Sequence, residues 1–224
     1  MKEDVLEQIV DDYLQFNGYF TTHNVRFKPE PQHPEFDADQ DRVSSDVDVV
    51  GFNPRLEGVD QVIVVSCKAW QDGFNAGRKL AELKGERPSP KGRATWRHFR
   101  ELWIPKWSEA FRQSIADLTG RETFTYRIAV TRLVGDGDPA DWTTDPTISG
   151  NLSGCPVGFL VLEDMWKKML EELTKTPASS EIGRLVQLLK AAGLTAPRSV
   201  VPPTGPAPGS EAAVAEEEEN EPPS

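Results

Sequence analysis

A run of four β-branched residues, Val62-Ile63-Val64-Val65, constrains the fold more than any other feature of the sequence. β-Branched side chains favour extended backbone, and an uninterrupted apolar run is typical of a strand that is covered on both faces. Such a strand lies inside a sheet, with other elements packed above and below it. We therefore predict a buried central strand in a fold that supplies both covers.

Hydrophobic periodicity predicts helices on both sides of the strands along the chain. The segment from Gly73 to Gly92 is polar with glycine breaks and predicts no definite element, and the segment from Gly135 to Pro156 is predicted to be turn-rich. The predicted elements are a helix from Asp4 to Phe16, strands at Tyr19 to Phe27, Asp46 to Phe52 and Val62 to Val65, a helical region from Thr95 to Leu118 that is split at Pro105, strands at Phe124 to Val134 and Val157 to Leu162, and helices from Glu163 to Leu173 and Ile182 to Ala192.

This order, α-β-β-β-α-β-β-α, predicts the α/β class, with a central mixed β-sheet flanked by helices. No glycine-rich dinucleotide or phosphate-binding loop is present, which argues against a dehydrogenase, a kinase or an NTPase. We predict one domain over residues 1–195. Residues 196–224 are rich in proline, alanine and glutamate, and we predict a disordered acidic tail there.

The composition of the chain predicts a globular protein outside the membrane and in a reducing compartment. Hydrophobic residues make up 38% of it, which is enough for a core. No apolar run approaches the roughly 18 residues that a membrane span needs, and the first residues do not resemble a signal peptide. The two cysteines, Cys67 and Cys155, are too few for a disulfide scaffold or a four-thiolate zinc site. We therefore expect a cytoplasmic protein with no membrane partner.

Charge is distributed unevenly along the chain. The net charge is −11, but six glutamates and no basic residue follow Arg198. Between Arg78 and Arg112, ten basic side chains stand against four acidic ones. Because local potential rather than net charge attracts a polyanion, this segment is a candidate nucleic-acid surface.

Charged residues interrupt the apolar strands at a few positions. Asp46 and Asp48 lie two residues apart on one predicted strand, and Lys68 follows the buried run on the next. Glu7 lies in the first helix, beside its apolar stripe. A charge at the end of a buried strand has to be solvated, paired or bound to metal, because desolvating it alone is expensive. An aspartate and a lysine on neighbouring strands could therefore share one cleft.

Two segments, Asp48-Val49-Val50-Gly51 and Val62-Ile63-Val64-Val65-Ser66-Cys67-Lys68, resemble the Asp…(Asp/Glu)-X-Lys signature of the PD-(D/E)XK nuclease superfamily. The likeness is greatest to the Holliday junction resolvase and Mrr-like group, and it extends from about Asp4 to Leu173. Glu7, eleven residues before Gly18, is similar to the glutamate that these families carry in their first helix.

The resemblance implies a restriction endonuclease-like core, a Mg²⁺ cofactor and DNA as the partner. In that family, carboxylates hold the metal against the scissile phosphate and a lysine orients the attacking water. Asp48 would be a metal ligand, Glu7 an accessory ligand and Lys68 the catalytic lysine. The backbone carbonyl of Cys67 would supply a further oxygen, and Asp46 is an additional candidate ligand.

One position departs from the family pattern, since Ser66 stands where the acid two residues before the lysine is expected. Either an acid from elsewhere replaces it, with Asp46, Glu7 and Asp72 as candidates, or catalysis is lost. Two functions therefore remain open. The chain is a DNA-binding, Mg²⁺-dependent endonuclease, with a role in defence, restriction or DNA repair, or it is an inactive nuclease fold that serves as a DNA-binding or protein-interaction module. A homodimer and a separate protein partner are compatible with either.

The basic segment supplies the candidate nucleic-acid contacts Arg93, Arg97 and Arg100, and the resemblance adds Gln113. Trp96, Trp103 and Trp107 alternate with these residues at helical spacing. They could stack on bases, but their spacing favours the buried face of a helix. Cys67 is not predicted to be a nucleophile, because no histidine lies near it in the sequence and an apolar setting raises a thiol pKa.

Overall fold

The computed structural model describes residues 4–89, 94–172, 178 and 180–194. The predicted acidic tail over residues 196–224 lies outside them. The strands are β1 (Phe20–Phe27), β2 (Ser45–Phe52), β3 (Val62–Lys68), β4 (Thr125–Val130) and β5 (Val157–Val161), and the α-helices are α1 (Val5–Phe16), α2 (Ala76–Leu83), α3 (Arg100–Trp103), α4 (Pro105–Thr119), α5 (Ala140–Thr144), α6 (Pro146–Asn151), α7 (Leu162–Glu172) and α8 (Glu181–Ala191).

The β-branched run forms β3, which occupies the centre of the sheet. Within the described residues the sheet has five strands in the order β1-β2-β3-β4-β5. The β1–β2 and β2–β3 pairs are antiparallel, whereas β3–β4 and β4–β5 are parallel. The predicted α/β class with a mixed sheet between helices is therefore confirmed.

Each face of the sheet carries its own hydrophobic core. The α4-side core is built around Phe99, Leu102, Trp107 and Phe111, and the α1-side core around Leu6, Val10, Met165 and Met169. β3 contributes to both, because Val62 and Val64 pack into the first and Ile63 and Val65 into the second. Burial on both faces means that a polar group on β3 finds water only at the strand's ends.

The helical region after β3 is divided as Pro105 predicts. A 3₁₀ turn at Thr95–His98 leads into the single turn of α3, and α4 then begins with Pro105 as its first residue. Proline is well tolerated there, since the first N–H of a helix has no partner within the helix. Trp107 is fully buried, whereas Trp96 and Trp103 are half-buried at the margin of the α4-side core. The prediction that all three form the buried face therefore holds best for Trp107.

Three predictions about the connecting segments differ from the structure. Helix α2 lies in the segment that gave no definite prediction, and α5 and α6 lie in the segment predicted to be turn-rich. β4 ends at Val130, short of the predicted Val134. Side-chain caps begin two of these helices, α2 and α6. The Asp145 carboxylate, for example, accepts hydrogen bonds from the N–H groups of Thr147 and Ile148 at the start of α6.

Among the described residues, no helix combines the length and the apolar character needed to cross a membrane.

A glycine contact fixes α2 against the loop after β4, and it gives a stability prediction. A Cβ atom on Gly77 would lie 2.7 Å from Cα of Gly137. Alanine normally favours a helix over glycine, but here the backbone contact opposes it. We expect Gly77→Ala to lower the free energy of unfolding by about 1–3 kcal/mol, as overpacking does. Urea denaturation measures this change.

Gly150 in α6 is the matched control, because nothing lies within 4 Å of the Cβ that an alanine would add. We expect Gly150→Ala to stabilise the protein by about 0.5–1 kcal/mol. Equal effects of the two substitutions would show that the Gly77–Gly137 contact does not limit packing.

Candidate active site

The hydrogen-bonded ladder between β2 and β3 ends just before Asp48. It runs from the pair Phe52–Val62 to the pair Val49–Val65 and stops there. Beyond it, Oδ2 of Asp48 accepts a hydrogen bond from the backbone N–H of Cys67, at 2.5 Å. A side-chain carboxylate thus takes the role that a strand carbonyl plays elsewhere in the ladder, and it lies in the gap where β2 and β3 separate.

The alternation of side chains between the two faces of the sheet reverses in β2 at Asp48. Val47 packs in the α4-side core and Val49 in the α1-side core. In a regular strand, residues two apart share a face, so the backbone must turn between these two valines. Asp48 lies at this turning point, which explains how one carboxylate is influenced by groups on both sides of the sheet.

Ser66 holds Lys68 on the α4 side, within electrostatic reach of Asp48. Nζ of Lys68 donates a hydrogen bond to Oγ of Ser66 at 2.8 Å and lies 5.6 Å from the centre of the Phe99 ring. The Ser66 side chain is almost wholly buried, and both it and the Lys68 ammonium lower the pKa of the Asp48 carboxyl. The aspartate and lysine predicted to share a cleft are therefore close enough for their charges to interact, with Ser66 holding the lysine.

Glu101, which the sequence analysis missed, lies beside Lys68 on the same side. It belongs to α3 and is 5% exposed. Its Oε1 accepts a hydrogen bond of 2.5 Å from the Tyr126 hydroxyl on β4. Burial raises the pKa of Glu101, while the Lys68 ammonium and the Tyr126 hydrogen bond oppose that rise. Its signal in the sequence is an acid enclosed by two core residues, Phe99 and Leu102.

Glu7 approaches Asp48 from the α1 side. It is half-buried near the start of α1. Burial raises the pKa of Glu7, and the negative charge of Asp48 raises it further. Glu7 and Asp48 are therefore close enough for their charges to interact.

The site carries an excess of negative charge. Burial raises the pKa of Asp48 as well, and the hydrogen bond from Cys67 and the Lys68 ammonium lower it only in part. Glu7 and Glu101, whose pKa values are also raised, both interact electrostatically with Asp48, and the Lys68 ammonium offsets the charges of Asp48 and Glu101. Each raised pKa means that the fold disfavours the ionised form, and an added cation would relieve that cost.

The Cys67 thiol takes no part in this polar group. It packs against the α1-side core, and burial together with the carboxylates of Asp48 and Glu7 raises the pKa of the thiol far above its usual value. Because the thiolate is the reactive form, a nucleophilic role is disfavoured, as the sequence indicated.

The other candidates are exposed or lie outside the described residues. Asp46 is exposed on β2, opposite Arg26 of β1, and its negative charge raises the pKa of Asp48. Gln113 is exposed on α4 and donates a hydrogen bond to Oδ1 of Asp117, at 2.7 Å. Asp72, a candidate for the displaced acid, is also exposed. Arg93 lies outside the described residues.

Arg97 and Arg100 are held by tryptophan rings rather than by acids. The Arg97 guanidinium lies 5.5 Å from the centre of the Trp96 ring, and that of Arg100 lies 5.7 Å from Trp96 and 4.7 Å from Trp107. Neither arginine forms an ion pair within the described part of the chain. Burial and the neighbouring Arg97 lower the pKa of Arg100. The carboxylates of Asp41 and Glu101 oppose that fall without forming an ion pair. These two charges are therefore available to an anion.

Comparison of the chain with protein-family models finds no match, and comparisons with curated proteins and with solved structures find none either.

Proposed function

We propose that this protein is a Mg²⁺-dependent nuclease of the restriction endonuclease-like type, which hydrolyses phosphodiester bonds in DNA. The observation that carries the proposal is the Asp48 carboxylate in the gap between β2 and β3, where it accepts from the Cys67 N–H. Ser66 holds the Lys68 ammonium at the end of β3, and the charge of that ammonium lowers the pKa of Asp48. Two further carboxylates, Glu7 and Glu101, approach the same gap from opposite sides of the sheet.

The oxygen ligands in the cleft suit Mg²⁺ better than a metal ion that takes all of its ligands from the protein. Among the described residues, no three acidic, histidine or cysteine side chains are placed to hold a metal ion together. Mg²⁺ keeps several waters and is commonly bound by one or two carboxylates plus substrate phosphates. Asp48 would be the direct ligand, with the Cys67 carbonyl beside it and Glu7 hydrogen-bonded to metal-bound water. This arrangement predicts weak Mg²⁺ binding in the absence of nucleic acid.

The chain's own residues have separable roles in the proposed hydrolysis. Water adds to phosphorus, and one P–O bond to a sugar oxygen breaks. When bound, Mg²⁺ polarises a phosphoryl oxygen. Lys68, fixed by Ser66 and Phe99, orients the water and offsets the charge that develops on phosphate. Glu101 supplies the negative charge that Ser66 lacks, and Tyr126 holds it in place.

DNA would be attracted by cations outside the cleft, because the cleft itself is acidic. Arg97 and Arg100 lie close along the chain to Glu101, contact indole rings and form no ion pair within the described residues. Guanidinium groups that are already ordered on indole rings lose little freedom on binding a phosphate. We therefore assign these two arginines to the DNA backbone.

An inactive nuclease fold that binds DNA or protein is the second candidate. Two observations favour it, namely Ser66 in place of an acid and the lack of a three-ligand group among the described residues. In that case Arg97 and Arg100 would still contact DNA, and the cleft would catalyse no reaction.

A cleavage assay with a matched pair of variants tests the proposal. Supercoiled, linear and branched DNA are incubated with the full chain in Mg²⁺ or in EDTA. We expect Mg²⁺-dependent cleavage, lowered by about 10²- to 10³-fold in Asp48→Asn, because a neutral amide is a poorer Mg²⁺ ligand than a carboxylate. Asp46→Asn removes the same charge from an exposed site on the same strand, and its activity should stay within about threefold of wild type.

Loss of activity in both variants, or in neither, would contradict the assignment of Asp48. DNA binding without cleavage by the wild type would favour the inactive DNA-binding module, and the absence of both would exclude every role on DNA and leave only the protein-interaction module.

A further inference from the structure

The reversal of faces at Asp48 is matched on the neighbouring strand. His23 of β1 lies 3.2 Å from Asp11 of α1, on the α1 side, whereas Val25 packs against the α4-side core. His23 and Val25 therefore lie on opposite faces of the sheet although they are two residues apart, as Val47 and Val49 do on β2. The reversal occurs in both β1 and β2, between residues that pair with each other across the ladder.

Asn24 lies at that level, opposite Asp48. The β1–β2 ladder pairs His23 with Val49 and Val25 with Val47, but it omits the intervening pair of Asn24 and Asp48. Asn24 has a φ of 54°, the left-handed conformation that side chains other than glycine rarely adopt. Rotation of the backbone at one residue is sufficient to exchange the faces of the residues on either side of it.

The side chain of Asn24 makes no contact that explains the choice of residue. It is exposed, and within the described part of the chain it forms no hydrogen bond. Asparagine is among the few residues that enter the left-handed region at little cost. The identity of this residue therefore matters through its backbone, and left-handed residues held by surrounding structure cluster at functional sites.

We propose that Asn24 is a positioning residue for Asp48. Its left-handed backbone reverses the faces of the β1–β2 hairpin and so turns the Asp48 carboxylate into the gap beside β3. Asn24 acts through Asp48 and does not itself touch substrate. The value of this position for catalysis rests on the proposed function, but the geometric claim does not.

Substitutions that differ in their tolerance of a positive φ test the claim. Asn24→Gly keeps the left-handed conformation available, whereas Asn24→Val makes it a severe outlier. The readout is the amide NMR signal of Cys67, whose N–H donates to Asp48, together with its hydrogen-exchange rate. We expect Asn24→Gly to leave both unchanged. We expect Asn24→Val to shift the signal and to speed exchange at least tenfold relative to the amides of Val62 to Val65.

Ser153 provides the matched control, since it is the other described non-glycine residue with a positive φ, at 52°, and it is exposed outside the sheet. Ser153→Val should lower the melting temperature without altering the Cys67 amide. If Asn24→Val does not fold, Asn24→Ala gives the same comparison with less strain. An unaltered Cys67 amide in Asn24→Val or Asn24→Ala would overturn the proposal.

Cleavage measured on the same variants separates this inference from the proposed function. A Cys67 amide that follows the Asn24 backbone in a protein without nuclease activity supports the positioning role and rejects the nuclease. Cleavage that persists while the amide is unchanged in every variant supports the nuclease and rejects the positioning role.

Discussion

Replacing Lys68 with methionine should lower the rate of DNA cleavage by about 10²- to 10³-fold, the loss typical of removing one group that stabilises developing charge. Methionine keeps the length of the side chain and its contact with Phe99 but lacks the ammonium that Ser66 fixes at 2.8 Å. The rate is measured on the best DNA substrate at saturating Mg²⁺. Lys167→Met is the control, because Lys167 forms an exposed ion pair with Glu163 on α7.

Mg²⁺ affinity separates a catalytic role for Lys68 from a collapse of the site. The Lys68 ammonium lowers the pKa of both Asp48 and Glu101, so its removal leaves their negative charges less compensated. We therefore expect Lys68→Met to bind Mg²⁺ at least as tightly as the wild type by calorimetry. Weaker Mg²⁺ binding together with lost cleavage would mean that Lys68 holds the site together.

The same substitution should change the dependence of stability on pH. An acid whose pKa is higher in the folded than in the unfolded state binds protons more tightly when folded, so stability falls as pH rises through the folded pKa. Lys68→Met raises these pKa values further. The variant should therefore lose more stability than the wild type as pH rises above the unfolded carboxyl values and through the raised folded ones. A parallel pH profile would contradict the electrostatic coupling between Lys68 and the two acids.

Local patterns in the sequence were sufficient to predict the part of the site that lies on adjacent strands. The β-branched run identifies the central strand, and Lys68 is the charge at its end. Asp48 follows from the apolar residues beside it. Strand positions can be predicted in this way because the period of two and the burial of both faces act within a few residues of chain.

Glu101 could not be predicted in the same way, because its role depends on tertiary packing. A helix of one turn has no periodicity from which a face can be assigned. Only the docking of α3 against α4 and α6 brings its carboxylate to Tyr126 and within reach of the Lys68 charge. Asn24 was hidden for a related reason, since the prediction for β1 assumed regular alternation and nothing local marks where a strand reverses.

The sequence does contain a signal for the start of helix α6, which the prediction of a turn-rich segment overlooked. Asp145-Pro146 is an N-cap residue followed by a proline at the first helical position, and both belong to the pattern that starts a helix. A helix of six residues is too short to form without tertiary contacts, so the surrounding turn residues outweighed that signal.

Moving the carboxylate from position 101 on α3 to position 66 on β3 should show that side chains at these two positions can occupy the same space beside Lys68. Ser66→Glu alone adds a second carboxylate to a buried position beside Asp48 and Tyr126, so we expect it to lower the free energy of unfolding by at least about 2 kcal/mol. Glu101→Ala alone leaves the Tyr126 hydroxyl without its acceptor, which costs about 1–3 kcal/mol. Urea denaturation measures both values.

The double variant Ser66→Glu/Glu101→Ala is expected to be more stable than the sum of the single changes predicts, by at least about 1 kcal/mol, because the new carboxylate fills the vacated space and accepts from Tyr126. It should also cleave DNA faster than Glu101→Ala, since an acid is again next to Lys68. Glu101→Gln is the control for charge, because the amide keeps the shape and the Tyr126 bond but removes the negative charge. Additive stabilities and no recovered cleavage would mean that Glu101 supports the fold and does not replace the acid missing at Ser66.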